Sequence, residues 1–222
     1  MNVLIASSAT GGHLYPALTV ADRIRSRDAS ARILFVGGAE DIGRDLVGDA
    51  GYEHVEIDAH GLDRKNPVRA LKSLADFRRA CGQARKIISG FAPDAVLGTG
   101  GYVVGPVARE AHRAGVRVYL QEQNVLPGLA NRLSARYADQ VFLGFAAAAP
   151  HFRDQEKLSV TGNPIREAFA EAAGRRDALR AAYGIGADAQ AVLLFGGSQG
   201  ADAVNAAGVD LARALAGRAG TQ

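Results

Sequence analysis

The sequence contains one cysteine and no long apolar run, and each of these absences argues against a class of protein. Cys81 alone cannot form an intrachain disulfide, and a single cysteine is typical of a reducing compartment. No stretch of about 18 apolar residues is present, so we expect no transmembrane helix. Met1-Asn2 carries no basic side chain, and Gly11-Gly12 interrupts the apolar run behind it, so we expect no secretory signal. We therefore expect a cytoplasmic protein whose contact with a membrane is peripheral.

The net charge is small, and the residue types that bind metals are few and scattered. With 26 basic and 23 acidic residues, the formal net charge is only +3, which argues against nucleic-acid binding over much of the surface. The five histidines are scattered without the spacing of metal ligands, so we expect no metal site. The sequence has no G-x-G-x-x-G turn for a dinucleotide. We therefore predict no cofactor and no nucleic-acid partner.

What the sequence does contain is a glycine-rich turn in three copies, each between a short strand-like run and a helix-like segment. The copies are Thr10-Gly11-Gly12-His13, Gly98-Thr99-Gly100-Gly101-Tyr102 and Gly196-Gly197-Ser198-Gln199-Gly200-Ala201. Glycine lets backbone N–H groups approach a ligand closely, and the N-terminus of the following helix favours negative charge. Three such turns in one chain favour a substrate that carries a diphosphate.

Short β-branched runs alternate with longer amphipathic segments along the 222 residues, of which 48% are apolar. This alternation predicts a parallel sheet with helices on both faces, a doubly wound α/β fold. The predicted strands are residues 2–7, 32–36, 53–57, 94–97, 116–121, 140–143, 158–161 and 191–195. The predicted helices are residues 15–27, 41–50, 68–89, 103–114, 128–137, 176–183 and 201–216. Because ligands bind at the carboxyl ends of parallel strands, we expect the three turns to line one cleft.

A turn signal at Gly162-Asn163-Pro164 predicts a domain boundary, because proline restricts the residue before it. We predict a complete domain of about six strands over residues 1–162 and the start of a second, Rossmann-like domain over residues 163–222. One strand and two helices bury too little surface to be stable alone. We therefore expect this chain to hold a first domain and the opening of a second.

Five motifs occur in the order found in the MurG family: the three glycine turns, Glu122-Gln123-Asn124 and Gly162-Asn163-Pro164-Ile165-Arg166. The sequence resembles that family over essentially its whole length. It differs at Ser8-Ala9, where the family usually has two glycines, and at Gln121, where the family often has histidine.

The resemblance implies a GT-B fold and an activity in peptidoglycan synthesis. That activity is the inverting transfer of N-acetylglucosamine from UDP-N-acetylglucosamine to the C4 hydroxyl of lipid I, which forms lipid II. Members of the family are longer, and only about two-thirds of one is present. We therefore expect this chain by itself to turn over poorly or not at all.

The resemblance also implies roles for single residues. His13 is the first choice for the base that takes the C4 hydroxyl proton, and Glu122 is the second. The ordinary alternatives are a helix-capping histidine and a carboxylate paired with an arginine. The residues expected to bind UDP-N-acetylglucosamine are Thr10, Gly11, Gly12, Asn124, Arg166 and Ser198. The residues expected to face the acceptor are Gly100, Gly101 and Tyr102. Arg166 suits a diphosphate because a guanidinium binds it bidentately, although an exposed arginine at a helix start is commonplace.

Residues 64–86 interleave basic and apolar side chains. This pattern is typical either of a helix on anionic lipid or of an amphipathic helix with a solvated charged face. The basic members are Arg64, Lys65, Arg69, Lys72, Arg78, Arg79, Arg85 and Lys86, and the apolar ones are Val68, Leu71, Leu74 and Phe77.

Together with the resemblance, this segment predicts a peripheral protein on the cytoplasmic face of the bacterial plasma membrane. Two other functions stay open on the sequence. One is a UDP-sugar epimerase or hydrolase of the same fold, and the other is a non-catalytic module that binds the acceptor.

Overall fold

The computed structural model describes residues 1–8, 11–38, 43–61, 67–196 and 200–216, with the backbone alone for residues 67–72. The chain forms two compact units, Met1–Arg166 and Glu167–Gln222. The strands described in the first unit are β1 (Asn2–Ser7), β2 (Arg32–Gly38), β3 (Glu53–Ile57), β4 (Ala95–Gly100), β5 (Arg117–Glu122), β6 (Gln140–Leu143) and β7 (Leu158–Val160). Its helices are α1 (Gly11–Arg27), α2 (Gly43–Asp49), α3 (Pro67–Phe91), α4 (Val104–Arg113) and α5 (Leu129–Ser134), followed by short 3₁₀ helices at Ala135–Tyr137, Ala146–His151 and Gln155–Lys157.

The seven described strands form one sheet in the order β3-β2-β1-β4-β5-β6-β7, and every neighbouring pair is parallel. The predicted doubly wound α/β fold is confirmed, and each of the seven strand ranges predicted within residues 1–162 overlaps a strand of the sheet. The chain adds β2 and β3 on one side of β1 and then returns to add β4 to β7 on the other side. The strand order therefore reverses between β1 and β4. In folds of this kind, ligands bind beyond the carboxyl ends of the strands at such a reversal.

Both faces of the sheet are buried, as the alternating side chains of β1 show. Leu4 and Ala6 point into an apolar cluster with α3 and α4, whereas Val3 and Ile5 point into a second cluster with α1 and α2. Successive side chains of a strand point to opposite faces, so a strand buried on both sides reads as a continuous apolar run. This explains why the strand-like runs could be recognised in the sequence.

An ion cluster joins α3 to α4 around Glu110, whose side chain is buried. Its carboxylate lies 3.0 Å from Nε of Arg85, 2.6 Å from Nη1 of Arg109 and 3.6 Å from Nη1 of Arg113. Burial raises the pKa of the neighbouring Cys81 thiol, and Arg109 acts in the opposite direction. The thiol therefore stays protonated at neutral pH. None of the described helices combines the length and the apolar character that crossing a bilayer requires.

The second unit contains α6 (Glu167–Ala172), a 3₁₀ turn at Ala173–Arg175, α7 (Arg176–Ala182) and α8 (Asp202–Leu215). Helices α7 and α8 match predictions, whereas α6 was not predicted. The predicted strand at residues 191–195 is wrong, because residues 191–196 have no regular structure. A strand needs a pairing partner, and the described part of this unit provides no second strand beside it. Leu193 and Phe195 are accordingly 81% and 76% exposed.

Candidate active site

Two of the glycine turns meet where the strand order reverses. β1 ends at Ser7 and β4 ends at Gly100, and these neighbouring strands run in parallel. Past the ends of both strands, the backbone N–H of Ser8 donates a hydrogen bond of 3.1 Å to the carbonyl oxygen of Gly100. Helix α1 begins at Gly11, so Gly11, Gly12 and His13 of the first glycine turn already belong to the helix. The first two turns therefore lie side by side at the edge of the sheet where a ligand is expected.

His13 lies in the first turn of α1 and is half-buried. Its Nδ1 atom lies 3.0 Å from the side-chain oxygen Oε1 of Gln123, which directly follows β5. Among the described residues, His13 forms no other hydrogen bond through its ring. The imidazole is thus held from one side at the edge of the sheet, beside the start of α1.

Gly100 and Gly101 have φ angles of +129° and +88°, a region of backbone conformation that other residues rarely adopt. A Cβ atom on Gly100 would lie 2.5 Å from Nδ1 of His13, and one on Gly101 would lie 1.9 Å from Oγ of Ser8. The second turn therefore packs its backbone directly against the first turn and against the imidazole. The sequence predicted close approach to a ligand here, and the structure adds close approach to His13.

Replacing Gly100 by alanine is expected to destabilise the fold and displace His13. Positive φ strain and the contact of the new Cβ with the imidazole together cost about 1–3 kcal/mol of unfolding free energy, as measured by urea denaturation. The matched control is Gly82→Ala, because Gly82 lies in α3 and a Cβ there meets no atom within 4 Å. That substitution is expected to be neutral or to stabilise by up to about 1 kcal/mol. Equal destabilisation by both variants would contradict this account of the turn.

Glu122 is the last residue of β5, and its side chain is only 1% exposed. Its Oε1 atom accepts hydrogen bonds from the backbone N–H and from Nδ2 of Asn124, at 2.9 and 3.0 Å. Its Oε2 atom accepts from the backbone N–H of Gly128 and from Nδ2 of Asn131, at 3.1 and 3.0 Å. Both carboxylate oxygens are therefore engaged in holding the loop between β5 and α5. None of the hydrogen bonds described for this carboxylate comes from an arginine.

Asn124 is exposed, and its amide orientation follows from Glu122. Because the carboxylate accepts a hydrogen bond from Nδ2 of Asn124, the amide oxygen Oδ1 points away from it. Among the described residues, that oxygen has no hydrogen-bond partner. Asn124 therefore presents an acceptor at the end of β5 that a ligand hydroxyl can reach.

Three further amides join the site, and sequence reasoning assigned no role to them. Gln123 donates through Nε2 to the carbonyl oxygen of Thr99 at 2.7 Å and also to Oε1 of Gln121. Gln121 donates through Nε2 to Oδ1 of Asn163 at 3.1 Å, and Asn163 donates through Nδ2 to the carbonyl oxygen of Gln123 at 3.2 Å. Gln123 and Asn163 belong to quoted motifs and Gln121 directly precedes one, but only the fold shows that the three form a continuous row ending at His13.

Arg166 lies near the start of α1. Its guanidinium carbon is 5.0 Å from the ring centroid of Tyr15, a cation–π contact. The Tyr15 ring in turn lies 3.4 Å from the position that a Cβ atom on Gly11 would occupy. Tyr102 is 61% exposed, and its ring packs over Gly61. Arg166 is thus close to the first glycine turn, where it would have to lie in order to bind the same anion as the turn.

Two predicted site residues, Thr10 and Ser198, lie outside the described residues. In the described parts of the chain, no group of three or more His, Cys, Asp or Glu side chains is arranged to hold a metal ion. The site described above therefore consists of main-chain amides, one imidazole, side-chain amides, a buried carboxylate and a guanidinium.

Comparison with known proteins places this chain in a family. The profile of the glycosyltransferase family 28 N-terminal domain matches residues 3–143. A curated relative from Alkaliphilus oremlandii is 41% identical over 95% of this chain and 57% of its own length. One from Desulfitobacterium hafniense is 37% identical over 98% of this chain and 58% of its own length. Both are named UDP-N-acetylglucosamine–N-acetylmuramyl-(pentapeptide) pyrophosphoryl-undecaprenol N-acetylglucosamine transferase.

Solved structures agree with the family assignment. Acinetobacter baumannii MurG matches with a TM-score of 0.62 at 28% identity, covering 77% of this chain and 48% of that protein. The UDP-GlcNAc 2-epimerase of Neisseria meningitidis, bound to UDP-GlcNAc, matches with a TM-score of 0.63 at 14% identity, covering 96% of this chain and 62% of the epimerase. The second likeness shows the fold alone.

The chain thus spans 57% of the Alkaliphilus oremlandii relative that it matches. The resemblance to MurG that the five motifs indicated is confirmed by the relatives and by the solved MurG structure. Since the family profile covers most of the first unit, this chain belongs to glycosyltransferase family 28 and carries its N-terminal domain.

Proposed function

We propose that this chain is the N-terminal part of an enzyme that transfers N-acetylglucosamine from UDP-N-acetylglucosamine to the C4 hydroxyl of lipid I. Lipid I is undecaprenyl-diphospho-N-acetylmuramoyl-pentapeptide, and the product is lipid II. The observation that carries the proposal is the packing of His13 against Gly100 at the reversal of strand order. Relatives that bear the name of this transferase are 35–41% identical to the chain. This function places the protein in bacterial cell-wall synthesis.

The proposed reaction is a direct displacement with inversion. The C4 oxygen of the acceptor attacks the anomeric carbon of the donor sugar as the bond from that carbon to the UDP oxygen breaks. UDP leaves with the bonding electrons, and the proton of the C4 hydroxyl passes to the imidazole of His13. Negative charge develops on the leaving diphosphate, where main-chain N–H groups, the N-terminus of α1 and Arg166 stabilise it.

The surroundings of the two candidate bases favour His13 over Glu122. Each carboxylate oxygen of Glu122 already accepts two hydrogen bonds, and the side chain is fully buried. Proton transfer requires a lone pair within hydrogen-bond reach of the hydroxyl. His13 is half-buried at the glycine turns, and within the described part of the chain its ring is held through Nδ1 alone. We therefore assign Glu122 to holding the loop that presents Asn124.

The remaining site residues are divided between the donor and the acceptor as the sequence predicted, and this assignment is part of the proposal. The residues that bind the donor are Thr10, Gly11, Gly12, Asn124, Arg166 and Ser198. The residues that face the acceptor are Gly100, Gly101 and Tyr102. Asn124 contributes its side-chain oxygen to a hydroxyl of the donor sugar. The assignment of residues 1–162 to the acceptor and of residues 163–222 to the UDP moiety also stays a prediction.

Contact with the cytoplasmic face of the plasma membrane is a further part of the proposal, since the acceptor carries an undecaprenyl tail. In α3 the described basic side chains Arg78, Arg79, Arg85 and Lys86 are exposed, and Leu74 is exposed beside them. A cationic surface with an apolar side chain suits anionic lipid. The side chains of Arg64, Lys65, Val68, Arg69, Leu71 and Lys72 lie outside the described set.

A transfer assay tests the proposed function. Labelled UDP-N-acetylglucosamine and a short-chain lipid I analogue are incubated with this chain and with the chain extended C-terminally by the corresponding segment of the Alkaliphilus oremlandii relative. We expect a labelled disaccharide lipid from the extended chain and little or none from the 222 residues alone. Release of free sugar or an epimer would support a hydrolase or epimerase instead. Acceptor binding without turnover by the extended chain would support a non-catalytic module.

A further inference from the structure

The side-chain amides of Asn163, Gln121 and Gln123 form a row of hydrogen bonds beside the site. Each amide has a defined orientation, which the proposed reaction does not by itself explain. Gln121 and Gln123 are 3% and 9% exposed, so their amides bond to protein groups rather than to bulk water. The row starts at Asn163, passes through Gln121 and Gln123, and ends at Nδ1 of His13. An amide has an oxygen that only accepts and a nitrogen that only donates, so each link restricts the next.

Backbone carbonyl groups fix the orientation of the row at two points. Asn163 must turn Nδ2 toward the carbonyl oxygen of Gln123, which leaves Oδ1 facing Nε2 of Gln121. Gln121 therefore turns its oxygen toward Nε2 of Gln123. Independently, Nε2 of Gln123 faces the carbonyl oxygen of Thr99 at 2.7 Å. Both constraints leave Oε1 of Gln123 facing His13.

The orientation of Gln123 determines where the imidazole carries its hydrogen. Oε1 of Gln123 can only accept, so Nδ1 of His13, at 3.0 Å, must carry the hydrogen. In a neutral imidazole only one nitrogen is protonated, so Nε2 then holds the lone pair. An imidazole free in water favours the opposite tautomer, with the hydrogen on Nε2. The row of amides therefore works against the intrinsic preference of the ring.

We propose that Gln123, supported by Gln121 and Asn163, is a positioning residue that holds neutral His13 in the tautomer protonated at Nδ1. Nε2 is then the atom that accepts a proton. The tautomer stands on the hydrogen bonds alone, whereas its catalytic consequence rests on the proposed function. Gly144 supports the far end of the row, because a Cβ atom there would lie 2.1 Å from Oδ1 of Asn163.

The tautomer is measured directly by NMR of the 222-residue chain labelled with ¹⁵N in histidine, at a pH where the ring is neutral. We expect Nδ1 of His13 to resonate as a protonated nitrogen and Nε2 as an unprotonated one. In Gln123→Leu the two signals move toward the opposite tautomer. The matched control is Gln140→Leu, because the Gln140 amide bonds to Oγ of Ser159 at 2.7 Å in another part of the sheet. It is expected to leave the His13 signals unchanged.

A wild-type spectrum with the hydrogen on Nε2 would overturn the proposal without any variant, even if Gln123→Leu failed to fold. Unchanged His13 signals in a folded Gln123→Leu would also overturn it. In the extended chain, Gln123→Leu is expected to lower kcat for transfer by about 10- to 100-fold while KM for UDP-N-acetylglucosamine changes less than about twofold. If NMR shows the expected tautomer but the extended chain transfers no sugar, the proposed function is rejected. The inference about the tautomer then still holds.

Discussion

Replacing His13 by alanine in the extended chain is expected to lower kcat for sugar transfer by about 10²- to 10⁴-fold. The substitution removes the group that takes the C4 hydroxyl proton, while Gly11, Gly12 and Gly100 keep their main-chain N–H groups. KM for UDP-N-acetylglucosamine is expected to change little, because donor binding depends on the amides of Gly11 and Gly12 and on Arg166. Steady-state kinetics with a soluble lipid I analogue measure both constants.

The control for this experiment is His151→Ala. His151 is exposed at the end of a 3₁₀ helix and touches no residue of the site described above. Its replacement is expected to leave kcat within about twofold of the original value. A His13→Ala protein with the same kcat as His151→Ala would remove His13 as the base and would reopen the question for Glu122.

Replacing Glu122 by leucine is expected to lower the free energy of unfolding by about 2–4 kcal/mol. The carboxylate accepts four hydrogen bonds, and an apolar side chain of similar size removes the acceptor of all four. Three of these donors belong to Asn124 and Gly128 in the loop after β5, which regain water only in part. The fourth, on Asn131, is buried. Urea denaturation followed by circular dichroism measures the change.

The matched control is Glu156→Leu, since Glu156 is exposed in a short 3₁₀ helix of the same unit. Its effect on unfolding is expected to stay within about 0.5 kcal/mol. Glu122→Gln separates a structural from a chemical role. The amide keeps one acceptor oxygen, so part of the lost stability is expected to return. A Glu122→Gln protein with unchanged stability and a kcat lowered as far as that of His13→Ala would favour Glu122 as the base.

Those parts of the fold that depend on local pattern could be predicted from the sequence. The strands β1, β2 and β4 are buried on both faces, so each appears as a short apolar run followed by a turn. The glycines at the ends of β1 and β4 marked the edge where the two turns meet. The segment at residues 191–195 has the same apolar pattern, but pairing decides whether such a run becomes a strand, and no partner strand is described beside it.

The contacts that define the site could not be predicted in the same way, because they join distant positions. His13 and Gln123 are 110 residues apart, and Gln121 and Asn163 are 42 residues apart. The sequence singled out Gly100 for its backbone, yet its closest described neighbour is the imidazole of His13. Glu122 was recognised as a carboxylate at a strand end. Only its four hydrogen bonds indicate that it holds a loop.

The central claim is that main-chain amides at the reversal of strand order bind the diphosphate of the acceptor. An amide NMR titration of the 222-residue chain with a soluble lipid I analogue tests this most directly. We predict that the largest shift changes occur at Gly100, Gly101 and Tyr102. The opposite edge of the sheet, around Gly51 and Tyr52 before β3, is expected to stay unchanged. Saturable shifts at that opposite edge, with none at the glycine turns, would contradict the account.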